Sequence, residues 1–260
     1  MVLRAVTINT TLVVLLGFAA TSCATAGGPS LHPVSATAPD NPIVDLDSHE
    51  AFAAKAPRPG HVVTTTVARA RFHRISVFDG VNGRRQMSLK NARPRTVPLV
   101  FLVEHREGDW LKVLLPVRPN GSSGWIRTTD VAMTRHQFRI VIELSVHRIT
   151  VFEGLKIFER DSIGVGTAQT PTPNGRYYTK DLFKLPNANS VYGTYAIGLS
   201  GFSDVLDSFQ GGNGVIGIHG TNEPALLGQD VSHGCIRMAN DAITRLATTL
   251  PLGVPVAILR

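Results

Sequence analysis

From His61 to the C-terminus the chain is cut into short apolar runs by Gly, Asn, Asp and Pro, and only one stretch has a helical period. Runs of five to seven residues closed by turn residues read as β-strands. The expected fold is therefore mainly β, with one or few helices. With 260 residues, 43% of them hydrophobic, the chain is long enough to bury a real core without disulfides or metal, and too apolar to be largely disordered. Only one apolar stretch, near the start, approaches the length of a membrane span, which excludes a polytopic membrane protein. A formal net charge of +7 points to an anionic neighbour without choosing among nucleic acid, lipid and wall polymer.

The first 22 residues have the layout of an export signal. Arg4 precedes the apolar run Leu12–Ala20, and the small residues Ala20, Thr21 and Ser22 lead into Cys23. A cysteine in this place resembles the lipobox of bacterial lipoproteins, with Ala20 and Ser22 standing where that pattern prefers Leu and Gly or Ala. The resemblance implies diacylation of the Cys23 thiol and anchoring on the outer face of the cytoplasmic membrane. Residues 23–60 are rich in Pro, Ala and Thr and read as an extended tether, with room for short helical pieces near Leu46–Ala56.

Residues 61–131 carry the first set of strand signals. Arg74–Phe78 ends at Asp79-Gly80, Val97–Val103 at Arg106–Asp109, and Trp110–Leu115 leads through Pro119–Gly124 to Trp125–Arg127. The segment Val100–Val131 resembles a bacterial SH3-like domain, a small β-barrel, which implies a wall-peptide contact or a spacer. The plainer alternative is that Trp110 and Trp125 are core aromatics. From Phe138 to Arg260 the pattern is β again: Phe138, Ile140, Ile142, Leu144 and Val146 alternate on one face, and Ile149–Phe152 turns at Glu153-Gly154 to return through Leu155–Phe158. Gly164–Gly175 is glycine-rich but lacks Gly-Lys-Ser/Thr, so it reads as a turn on a sheet rim and not a phosphate cradle. Ile243, Leu246, Ala247 and Leu250 share a helix face, with Asn240 as cap and Pro251 and Gly253 as stop.

The chemistry lies just before that helix, in Ile218-His219-Gly220-Thr221 and Val231-Ser232-His233-Gly234-Cys235-Ile236-Arg237-Met238. With Cys23 processed, Cys235 is the remaining cysteine of an exported chain and has no internal partner, which points to an intermolecular bond or a reactive thiol. His219, His233 and Arg237 can favour its thiolate, and Gly220 and Gly234 leave backbone bare for a carbonyl to approach N–H donors. Three alternatives stand beside the nucleophile: a zinc site from His219, His233 and Cys235, without paired ligand spacing; a Cys23–Cys235 disulfide; and an inert buried cysteine.

These motifs, with Thr172-Pro173-Asn174-Gly175 upstream, resemble the catalytic signature of L,D-transpeptidases with the YkuD-type domain, over about Phe138–Arg260. The resemblance implies a β-rich catalytic domain and a cysteine acyltransferase that cross-links peptidoglycan stem peptides. Cys235 would be the nucleophile and His219 the general base, oriented by the Gly220 carbonyl. His233 and the N–H groups of Gly234 and Cys235 would line the oxyanion region. Arg237, Thr221, Ser232, Tyr192 and Tyr195 would contact substrate. The thiolate would attack the carbonyl of the third stem residue, release D-Ala, and pass the acyl group from a thioester to an amine of another stem. Carbapenems acylate such enzymes. Neither metal nor cofactor is implied, and no basic helix with interleaved aromatics points to nucleic acid. Acyl transfer to water or to another amine, and a wall-binding lipoprotein with an inactive site, remain as rival readings.

Overall fold

The computed structural model describes residues 62–92, 97–208 and 212–260. The expected signal, Cys23 and the tether, including Leu46–Ala56, lie outside the described residues. Among the described residues no helix is long and apolar enough to cross a membrane.

The first sheet has seven antiparallel strands: β1 Thr65–Ala70, β2 Arg74–Phe78, β3 Arg85–Lys90, β4 Val100–Glu107, β5 Trp110–Leu114, β6 Ser123–Arg127 and β7 Val131–His136. Their spatial order is β3-β2-β6-β5-β4-β1-β7. Alternation fixes which side faces in. Ile75 and Val77 of β2, Leu111 and Val113 of β5 and Ile126 of β6 form one buried cluster with Phe101 and Val131. Burial of each such side chain contributes about 1.5–3 kcal/mol. β4 begins at Val100, not Val97, because Pro98 has no N–H to give a ladder, and it continues through the polar Glu104–Glu107 to the turn at Gly108 (φ 54°). The sheet also runs past Val131, since β7 pairs along its length with β1.

The second sheet contains β8 Phe138–Glu143, β9 Arg148–Glu153, β10 Lys156–Ser162, β12 Gly175–Lys184, β13 Tyr195–Phe202, β14 Val215–His219, β16 Ile236–Arg237 and β17 Pro255–Leu259. Their order is β10-β9-β8-β17-β12-β13-β14-β16. A short parallel pair, β11 Val165–Gly166 and β15 Asp230–Ser232, lies apart. The alternation that begins at Phe138 stops at Glu143: Leu144–Val146 form a 3-10 turn, Val146 is exposed, and His147 adopts a left-handed conformation (φ 48°) that reverses the chain into β9. The one α-helix among the described residues, α1 Asn240–Thr249, lays Ala242, Ile243 and Leu246 on the core formed by Ile197, Ile216, Ile218, Ile236 and Val256. The two sheets meet at Tyr178. This residue of β12 is fully buried among Val67, Val100, Leu102 and Leu114 of the first sheet, and its hydroxyl donates to the Val100 carbonyl at 3.0 Å.

Candidate active site

The pleat of three neighbouring strands builds the site. β14 and β16 run parallel with His219 opposite Arg237, and β13 and β14 run antiparallel with Ala196 opposite His219. Ile216, Ile218, Ile236 and Met238 point into the core. Side chains alternate, so Gly217, His219, Cys235 and Arg237 share the other face. The thiol, one step before β16, sits beside Gly217 and diagonal to the imidazole. Gly217 supplies a backbone hydrogen bond to the sulfur.

Burial dominates the electrostatics. His219 is 5% exposed, and burial pushes its imidazole down to about 4, against a partial opposing effect of the Gly220 carbonyl; the Arg237 charge adds to the lowering. Nδ1 lies 2.6 Å from that carbonyl oxygen. A carbonyl only accepts, so Nδ1 carries the proton and Nε2 keeps the lone pair. Burial also pushes the Cys235 thiol up, opposed by the Gly217 hydrogen bond and by Arg237. At neutral pH the thiol and the imidazole are thus both uncharged, on the same face of neighbouring strands. Cys235 is a free thiol, and among the described residues no group of three His, Cys, Asp or Glu side chains is placed to hold a metal ion.

The structure separates the other expected residues into those on the site and those that frame it. Tyr192 is on it: its ring meets the His219 ring edge-on at 4.9 Å, and burial, with Cys235 nearby, pushes its phenol up. Arg237 is also there, its side chain 15% exposed, with Nη1 donating to Glu223 at 3.1 Å and Nε buried without a partner. His233 is exposed beside the cysteine. Tyr195 is not on the site face. It lies one pleat from Ala196, its ring packs on the core, and its contribution is the carbonyl that accepts from Gly220 N at 3.2 Å.

Ser232 and Thr221 are buried, and their hydroxyls bracket the loops around the site. Ser232 Oγ donates to the Cys235 carbonyl at 2.5 Å and accepts from Gly234 N at 3.1 Å. That second bond occupies the Gly234 N–H, one of the two donors expected to line an oxyanion region. Gly234 instead makes the turn possible through its φ of 109°, which other residues rarely adopt. The Thr170–Gly175 turn supports the loop from below: Thr167 N and Thr170 Oγ1 donate to the Ser232 carbonyl at 3.0 and 3.3 Å. Thr221 Oγ1 accepts from Glu223 N, closing the turn after β14.

Asn240 does more than the sequence indicated. The cap position falls on Ala239, and the Asn240 side chain makes no capping bond. Its Oδ1 accepts from Thr194 N and Thr221 N, each at 3.2 Å, and its Nδ2 donates to the Thr221 carbonyl at 3.0 Å. It therefore ties the loop carrying Tyr192 to the turn that follows His219. Gly193 and Gly220 pack against the same amide, where a Cβ on either would collide with it. In the sequence, the signal for this role is a helix-start asparagine between two Gly-flanked loops.

Residues 137–258 match the family model of the L,D-transpeptidase catalytic domain, YkuD. That stretch is just under half of the chain. Two relatives, the YkuD proteins of Bacillus licheniformis and Bacillus subtilis, whose names place them with the L,D-transpeptidases, are each 32% identical over 121 and 123 residues. The matches cover 46% and 47% of this chain, and 65% and 66% of the relatives, just under two thirds of their length. Among solved structures, an L,D-transpeptidase from Mycobacterium smegmatis aligns with a TM-score of 0.40 and 13% identity, over 62% of this chain and 90% of that one. The catalytic domain of the Enterococcus faecium L,D-transpeptidase aligns with a TM-score of 0.35 and 20% identity, over 48% and 98%. The matched stretch begins at the residue before β8 and ends inside β17, so it spans the second sheet except for its last residue, Leu259.

Proposed function

We propose that the protein is a peptidoglycan L,D-transpeptidase with Cys235 as its nucleophile. The observation that carries this is the placement of Cys235 and His219 on one face of β14 and β16, with His219 neutral and its Nε2 lone pair unprotonated. As Sγ attacks the carbonyl carbon of the third stem residue, its proton passes to His219 Nε2. The tetrahedral oxyanion is met by the Cys235 N–H and the charge of Arg237. Collapse breaks the bond to D-Ala, whose nitrogen takes the proton back, and leaves a thioester. An amine of a second stem then attacks the thioester, gives its proton to His219, and forms the new amide as the thiol is restored. No ATP is required, because the thioester retains the energy of the old amide.

Export, with Cys23 lipidated and residues 23–60 as tether, would place this chemistry at the wall, and an SH3-like unit over 61–131 would hold the catalytic domain there. The support for these is the residue pattern around Leu12–Cys23 and the turn spacing around Trp110 and Trp125. Incubation with disaccharide-tetrapeptide fragments tests the reaction. Wild type should release D-Ala and yield cross-linked dimers, while Cys235→Ala yields neither. Wild-type yield from Cys235→Ala, or release of D-Ala with tripeptides and no dimers, would contradict the proposal.

A further inference from the structure

The net charge of the chain is unevenly distributed. Residues 62–136 hold thirteen Lys and Arg against five Asp and Glu, a net of +8, whereas residues 137–260 hold ten against ten. The surplus therefore lies in the stretch of sequence that carries the first sheet, and the stretch that carries the second is neutral. One acidic residue of the first sheet, Glu104, is engaged by Arg176 of the second at 3.6 Å.

The outward face of the first sheet organises part of this charge. Its inward positions are Ile75, Val77, Leu111, Val113 and Ile126, so the residues between them point out. Following the strand register, His105 pairs with Lys112, Lys112 with Trp125, Trp125 with Phe78, and Phe78 with Arg85. This is a single row across β4, β5, β6, β2 and β3, with two aromatic rings between cationic ends. Arg127 adds a further charge above Phe78, 5.6 Å from that ring's centre. Among the described residues no carboxylate engages Arg85, Lys112 or Arg127. Trp125 is half-buried, so one part of its ring is open to solvent.

We infer that this row is a binding site for an acidic linear polysaccharide whose sugar rings carry carboxylates. Neighbouring strands lie about 4.8 Å apart, so Arg85 and Lys112, three strands apart, are separated by about 14 Å along the row. A pyranose ring is close to one strand spacing in length. Arg127 and Trp110 already pack on the Phe78 ring, so such a chain can lay a ring face on Trp125 and present its carboxylates to Lys112, Arg127 and Arg85. A smooth anionic lipid surface has no ring to stack, and a polyol phosphate chain has charge without the ring. The site is distinct from Cys235 and stands whether or not the acyl-transfer proposal holds.

Tryptophan emission reads the site directly. The chain has two tryptophans: Trp125 is half-buried in the row, whereas Trp110 is 8% exposed and touches Phe78 and Arg127, so the Trp125→Phe variant is what assigns the emission change to Trp125. The full-length protein is titrated with polygalacturonate, neutral dextran, poly(glycerol phosphate) and phosphatidylglycerol vesicles. Polygalacturonate should shift the emission and dextran should not. The apparent affinity should fall by about tenfold or more as salt is raised through the physiological range. The double variant Arg85→Glu/Lys112→Glu should lose the response while keeping the wild-type melting temperature, and Trp125→Phe should abolish the signal. No response to polygalacturonate, or an unchanged affinity in a normally melting double variant, would overturn the inference. Binding of poly(glycerol phosphate) or of the vesicles as tight as that of polygalacturonate would overturn it too, by removing the role of the ring.

Discussion

At the scale of single residues, the burial of His219 governs the pH behaviour of the site. Its imidazole is held at about 4, below the ordinary 6.5, so between those values the unfolded chain binds more protons than the folded one. Stability from this group is full above about 6.5 and is lost as pH falls toward 4, on the order of 3 kcal/mol in all. The same shift keeps the base unprotonated through mildly acidic pH. The rate of carbapenem acylation at Cys235 should therefore hold its value down through pH 6.5 and fall away only near 4. An acid limb at 6.5 would mean that the imidazole titrates as if exposed. Of these residue-level features, the identities of Cys235 and His219 could be read from their motifs because reactive side chains at fixed spacing are a chemical pattern. The engagement of the Gly234 N–H could not, since it depends on where the Ser232 hydroxyl turns.

At the scale of elements, α1 and its first residue hold two loops in register. Asn240 satisfies two N–H groups and one carbonyl that belong to neither its helix nor one another's strand. Removing it leaves those buried groups unpaired, at about 1–3 kcal/mol each, and releases the loop that sets Tyr192 against His219. Asn240→Ala should slow acylation of Cys235 by on the order of 100-fold, the scale expected of a small misplacement of reacting groups. It should do so without moving the acid limb, because His219 stays buried against Gly220. A wild-type rate in Asn240→Ala would show that the bracket does not position the site. The helix itself was readable from Ile243, Leu246 and Ala247, whose spacing is local. Its asparagine was misread as a cap because its partners, Thr194 and Thr221, lie 46 and 19 positions away in the chain. The strands β1 and β3 were likewise silent: Thr-Thr-Val-Ala-Arg-Ala and Arg-Gln-Met-Ser-Leu-Lys lack a strong apolar period, and pairing with β4, β7 and β2 makes them strands.

At the scale of the whole molecule, the two sheets, one carried by a basic stretch of sequence and the other by a neutral one, are joined through a fully buried tyrosine. Tyr178 reads in the sequence as one more aromatic after Gly175, and its role appears only when β12 is brought against Val100 and Leu114. Arg118 adds to the join by donating to the carbonyls of Ser203 and Leu206 at 2.7 and 3.0 Å, so the turn before β6 grips the chain between β13 and β14. The mainly β character and the helix near the end follow from the run lengths alone, whereas strand order needs these long-range contacts.

The central claim is that Cys235 alone forms the acyl-enzyme. The intact mass of the whole chain after carbapenem treatment tests it most directly. Wild type should gain the mass of one carbapenem, and Cys235→Ala should gain nothing. An adduct that persists in Cys235→Ala, or a wild-type chain that stays unmodified, would contradict the account.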